Sequence, residues 1–131
     1  MRKFPWLSVV IVALALVVSP WAASGAEVQT YSKDAFQQAQ AAGRPIVVFV
    51  TASWCPNCRK QQPVVDTMAK DKAFADAVLF VVNFDSDKQA LKDLNVLMQS
   101  TLIAFHGNTE RARSTAVTDS DAIRALFHKA L

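Results

Sequence analysis

The chain is short of most residues that would mark a metal, nucleic-acid or staple-rich protein. Only two cysteines, Cys55 and Cys58, occur in 131 residues, so no multi-disulfide framework can be built. Only two histidines are present, and His106 and His128 stand 22 positions apart, which does not fit the short histidine spacing of a zinc finger. They are expected at the surface, at a turn and in the last helix, with no metal and no cofactor. Lysine and arginine nowhere cluster as a nucleic-acid surface would require, so nucleic acid is excluded as a partner. Internal repeats, low-complexity tracts and long linkers are absent as well.

What is present begins with an N-terminal targeting pattern. Arg2 and Lys3 give a positive start, Leu7 to Val18 is almost wholly apolar, and Ser24-Gly25-Ala26 supplies small residues at cleavage positions. Residues 1–26 are therefore expected to be a secretory signal peptide, with an uncleaved anchor as the alternative. The apolar run is shorter than the roughly 20 residues of a spanning helix. Removal of 26 residues leaves 105, enough for one domain over 27–131. Arg2 and Lys3 would leave with the leader, so 12 of the 14 basic residues face 11 acidic ones and the net charge falls from +3 to about +1. An exported chain meets a compartment that permits disulfides, which in bacteria is the periplasm.

The remaining sequence alternates strand and helix signals. A strand is expected around Val28 to Tyr31, then a helix capped by Ser32 and stopped by Gly43. The continuous run Ile46 to Val50 suggests a strand buried on both faces. A helix should start at the cysteine motif, reach Lys70 and bend at Pro63, with a shorter helix over Lys72 to Ala77. Val78 to Val82 is a second buried strand, Lys88 to Leu94 a helix, and Thr101 to Phe105 a third strand turning at His106-Gly107-Asn108 into Arg111 to Ala116. Thr118 with Asp121 predicts the cap of a last helix. Phe36, Phe80, Phe84, Phe105 and Phe127 are expected in the core, and Met68 and Met98 as core filling or contact surface. The order predicts an α/β fold, a mixed sheet with helices on both faces.

The cysteines stand as Trp54-Cys55-Pro56-Asn57-Cys58-Arg59, directly after the first buried strand. A disulfide across two intervening residues closes too small a loop to stabilise much, so its value is chemical. With Trp54 before it, Pro63 five residues after it and a terminal strand-strand-helix unit, the chain resembles the thioredoxin superfamily over essentially all of 27–131. Through Leu91-Lys92-Asp93-Leu94-Asn95-Val96-Leu97 it is similar to exported members such as the C-terminal thioredoxin-like domain of DsbD. That resemblance implies a thioredoxin-like fold and a redox-active Cys55–Cys58 pair. A helix N-terminus favours the Cys55 thiolate, making Cys55 the nucleophile and Cys58, expected to be more buried, the resolving thiol. Trp54, Pro56 and Asn57 would shape the site. Arg59 and Lys60 are read as solvated helix residues.

Two departures from the family pattern stand out. Phe49 occupies the place of a buried acid that assists the resolving thiol, and Val81 or Val82 that of its accompanying lysine, so Asp85, Asp66 or water would have to carry the proton. Ser100 stands before Thr101 where the family has a cis-proline. A cis bond to a non-proline residue costs about 2.5 to 4 kcal/mol, so a trans Gln99–Ser100 bond is expected. Ser100 could donate a hydrogen bond to Cys55. The expected activity is exported thiol-disulfide exchange by a monomer. It would reduce protein disulfides or relay electrons from a membrane thiol donor of the DsbD type. The alternative is a binding module in which the two thiols hold a soft metal such as Cu(I), or a partner protein, without turnover.

Overall fold

The computed structural model describes residues 24–131. Residues 1–23, and with them most of the expected leader, lie outside the described residues. The elements run β1 (Glu27–Thr30), α1 (Lys33–Ala41), β2 (Pro45–Thr51), α2 (Pro56–Lys70), a 3-10 turn (Lys72–Phe74), β3 (Val78–Asn83), α3 (Lys88–Asp93), β4 (Thr101–His106), β5 (Thr109–Thr115) and α4 (Ser120–His128). The sheet order is β1-β3-β2-β4-β5. β1 and β2 pair parallel with β3, whereas β4 pairs antiparallel with both β2 and β5. This is the mixed α/β sheet that the alternating pattern predicts.

The centre of the sheet follows from side-chain alternation. Because successive residues of a strand point to opposite faces, Ile46, Val48 and Val50 of β2 feed one core and Val47 and Phe49 the other. On the first face they meet Phe36 of α1 and Ala90 and Leu91 of α3. On the second they meet Val65 and Met68 of α2 and Ile123, Leu126 and Phe127 of α4. A strand covered on both sides must be apolar throughout, which is why this run carries no polar residue. The edge strands differ: Val28 of β1 is exposed, and β5 is open to solvent along most of its length.

Several local expectations need correction. The last helix is capped by Asp119, whose carboxylate accepts the Ala122 N–H at 2.9 Å, and not by Thr118. The short helix after Lys70 is a single 3-10 turn ending at Phe74. Phe84 is only half-buried, because β3 ends at Asn83 and leaves its ring at the sheet's end. His106 is not a free surface residue: it is half-buried, and its Nδ1 lies 2.9 Å from the Ala130 carbonyl. By contrast, α2 runs from the cysteine motif through Pro63 to Lys70 as expected, with the Thr67 hydroxyl donating to the Pro63 carbonyl at 2.8 Å.

The start of the fold carries a prediction of its own. Gly25 is buried with a φ of 68°, and a Cβ there would collide with the backbone of Ala69 and Lys70. Ala26 donates its N–H to the Ala69 carbonyl at 2.7 Å and packs on the α2–α4 core. A chain beginning at Glu27 loses that bond, so we expect it to be about 1 kcal/mol less stable than one beginning at Gly25. Thermal melting of the two purified chains should differ by roughly 4 to 8 °C, and equal midpoints would remove any structural role for Gly25 and Ala26.

Candidate active site

β2 delivers the chain to the cysteine motif through Ala52, and the Cys55 N–H closes the turn on the Ala52 carbonyl at 3.2 Å. Pro56 then occupies the first turn of α2, where its missing donor costs nothing and its fixed φ suits a helix. Cys55 is the N-cap of α2. Its Sγ accepts the Cys58 N–H at 3.1 Å, so a cysteine sulfur does the work usually given to a serine or aspartate oxygen. Cys55 and Cys58 are joined as a disulfide with their Cα atoms 5.2 Å apart.

Both cysteines are covered, Cys55 at 1% and Cys58 at 2% exposure, so the expected difference in burial between them is not found. Their surroundings are apolar: Phe49, Ala52, Val65 and Leu102 belong to the same core. Two effects therefore oppose each other on these thiols. The helix N-terminus and the Cys58 N–H favour a thiolate on Cys55, while apolar burial favours the neutral form.

The neighbouring residues fall into place around the pair. Trp54 is 52% exposed, its indole Nε1 donates to Asp85 at 2.9 Å, and its ring meets Phe84 edge-on at 6.5 Å between centroids. Asp85 thus holds Trp54 in place. Asp66 instead shares a cleft of about 540 Å³ with Cys58, Thr51, Ser53 and Asn83, and Gln62 donates to its carboxylate at 2.8 Å. Of the two acids, Asp66 lines the same open cleft as Cys58, but it is exposed and stands about two turns further along α2. Asn57 is half-buried, and Arg59 and Lys60 are exposed as expected.

Ser100 is where the site departs furthest from the sequence reading. Every peptide bond among the described residues is trans, Gln99–Ser100 included, as expected. Ser100 adopts a φ of 64° and is almost fully buried. Its N–H donates to the Val50 carbonyl at 2.8 Å, and its carbonyl accepts from Ala116 at 2.9 Å. The hydroxyl has no partner among the described residues, so the bond it could have donated to Cys55 is not made. Thr101 is buried, donating to the Met98 carbonyl at 2.8 Å and meeting the Thr115 hydroxyl at 3.0 Å. Met98 is half-exposed beside the fully solvated Leu97, and Met68 fills the core.

One site residue escaped the sequence reading. Gln61, wholly buried on α2, donates from Nε2 to the Ser100 carbonyl at 3.2 Å and to the Val117 carbonyl at 2.8 Å. The signal was available, since Cys58, Gln61, Val65 and Met68 form a helical stripe with one polar residue in an apolar row.

Comparison with known proteins agrees with this geometry. The Thioredoxin family model matches residues 27–129. Thioredoxin of Chlamydia muridarum is 28% identical over 102 residues, covering 78% of this chain and 97% of its own length. Thiol:disulfide interchange protein DsbD of Escherichia coli K12 is 31% identical over 94 residues, 66% of this chain but only 17% of DsbD. The crystal structure of Trxlp from Edwardsiella tarda superposes with a TM-score of 0.72 at 40% identity, covering 76% of this chain and 98% of that one. With the disulfide at the head of α2 and a family match spanning the described domain, the chain belongs to the thioredoxin family and is a thiol-disulfide oxidoreductase.

Proposed function

We propose that this protein reduces disulfides of exported polypeptides, with Cys55 as nucleophile and Cys58 as resolving thiol. The observation that carries the assignment of roles is the N-cap position of Cys55, whose Sγ receives the Cys58 N–H. In the dithiol form the Cys55 thiolate attacks one sulfur of a substrate disulfide, forming a mixed disulfide and releasing the first substrate thiolate, which takes up a proton. Cys58, deprotonated through water in the Asp66 cleft, then attacks the Cys55 sulfur. The second substrate thiolate leaves, and Cys55–Cys58 is oxidised by the two electrons the substrate gained. A dithiol donor must reverse that oxidation. The resemblance to the DsbD domain supports a membrane thiol donor of that kind, and the leader pattern of residues 1–26 supports a periplasmic setting.

Reduction of insulin by the reduced protein is the direct test. We expect Cys55→Ser to abolish it and Cys58→Ser to trap a covalent mixed disulfide visible on non-reducing gels. Trapping by Cys55→Ser instead would reverse the roles. Equilibration with glutathione tests the direction: a potential near the −270 mV typical of thioredoxin supports a reductant, and one near −120 mV an oxidant. For the proton route, Asp66→Asn should slow release of the second substrate thiol several-fold while leaving the first attack unchanged.

A further inference from the structure

We propose that Gln61 is a positioning residue for substrate recognition, holding the Ser100 loop in the conformation that presents its main chain to a polypeptide substrate. The proposal rests on the assignment of Cys55 above, and it concerns which disulfides the thiol can reach.

Two facing residues, Ser100 and Ala116, have left-handed backbones, with φ of 64° and 61°. For residues with a Cβ such a conformation is strained and persists only where the surroundings enforce it. Their shared link, Ala116 N–H to Ser100 carbonyl, ties the two loops together at 2.9 Å. Gln61 closes the arrangement from below. One Nε2 reaches the carbonyl of Ser100 and that of Val117, the residue after Ala116, so a single amide bridges both strained segments. Because Gln61 lies three residues beyond Cys58 on the same buried stripe of α2, the bridge fixes the loop against the disulfide end of that helix.

The segment so held has free hydrogen-bonding capacity. Among the described residues, Gln99 makes no backbone hydrogen bond, while Leu97 and Met98 beside it project into solvent. An extended chain can pair with such a main-chain edge as an added strand, and a small disulfide cannot. Gln61 also keeps its place at a cost, because its Oε1 is buried with no partner. An apolar residue of similar volume would avoid that cost but withdraw the donor from the Ser100 and Val117 carbonyls, so the amide serves the two loops and not packing alone.

The test compares two substrates of the reduced protein in stopped flow: insulin, which must pair, and 5,5′-dithiobis(2-nitrobenzoic acid), which need not. We expect Gln61→Leu to lower the rate constant with insulin about 10-fold and to leave that with the small disulfide within 2-fold, at an unchanged reduction potential. Gln61→Met gives the same comparison should the leucine variant fold poorly. Gln61→Glu adds a pH signature: its carboxyl can donate only when protonated, so the insulin-to-small-disulfide ratio, which cancels the thiolate fraction, should recover as pH falls. Equal losses with both substrates, or no loss with either, would overturn the proposal. Failure of the underlying assignment is distinguishable, since the unsubstituted protein would then reduce neither substrate through Cys55.

Discussion

Phe49→Asp, which places an acid where thioredoxins commonly carry one, is expected to destabilise the domain by about 4 kcal/mol or more instead of improving the resolving step. Phe49 is fully buried on the central strand, among Val65, Leu102 and the two cysteines. Truncating a buried phenylalanine costs about 3 to 5 kcal/mol through lost transfer energy and the cavity left behind. The new carboxyl would find no basic partner, because Val81 and Val82 stand where the family's lysine would be, and an unpaired buried charge adds its own desolvation cost. A loss of this size approaches the whole stability of a typical domain.

A pH dependence separates the two contributions. Burial without a partner raises the carboxyl's folded-state pKa above its unfolded value of about 3.9. Between those values the folded state binds more protons than the unfolded one, so stability falls as pH rises through that window and levels off above the folded pKa. Phe49→Leu, which makes a smaller cavity and adds no charge, should cost only about 1.5 kcal/mol and show no such added slope. Denaturant midpoints of the three proteins between pH 4 and 8 check this. An aspartate variant as stable as the leucine variant at pH 8 would mean that a partner or water reaches the site.

The same residue shows why the sheet was legible in the sequence and parts of the site were not. Ile46–Val50 and Val78–Val82 read as central strands because burial on both faces leaves a continuous apolar run, a signal local to each segment. Cys55 and Cys58 were legible for a similar reason: their spacing and the strand before them are contiguous. The Thr118 cap was misplaced by one residue because Asp119 offers an equally good acceptor, and only the chain's path selects between them. The chemistry of Phe84 points to the core, yet it falls one residue past the end of β3. Gln61 is intelligible only once two loops distant in sequence, at Ser100 and Val117, are seen to converge on it. The left-handed φ of Ser100 carries no local signal at all, since nothing about serine favours it.

Ser100→Pro, which restores the family residue, should likewise damage this protein, by about 3 kcal/mol or more. Proline fixes φ near −65°, far from the 64° observed, so the present loop cannot accept it. It also removes the N–H that donates to the Val50 carbonyl at 2.8 Å, a net loss of about 1 kcal/mol for a hydrogen bond in a buried setting. Any turn that relieves φ also moves the Ser100 carbonyl away from Ala116 and Gln61, so the losses are coupled through one peptide unit. Ser100→Gly at the same position predicts a contrasting result. Glycine takes positive φ without a Cβ penalty and discards the buried hydroxyl that has no partner, gains that offset its greater unfolded-state entropy. The glycine variant should therefore match or exceed the natural protein by up to about 1 kcal/mol. Chemical denaturation of the pair decides the matter: a proline variant equal to the natural protein would show that the loop readily adopts the family geometry. A glycine variant that loses as much as proline would show that the serine hydroxyl, and not the backbone, holds this side of the site together.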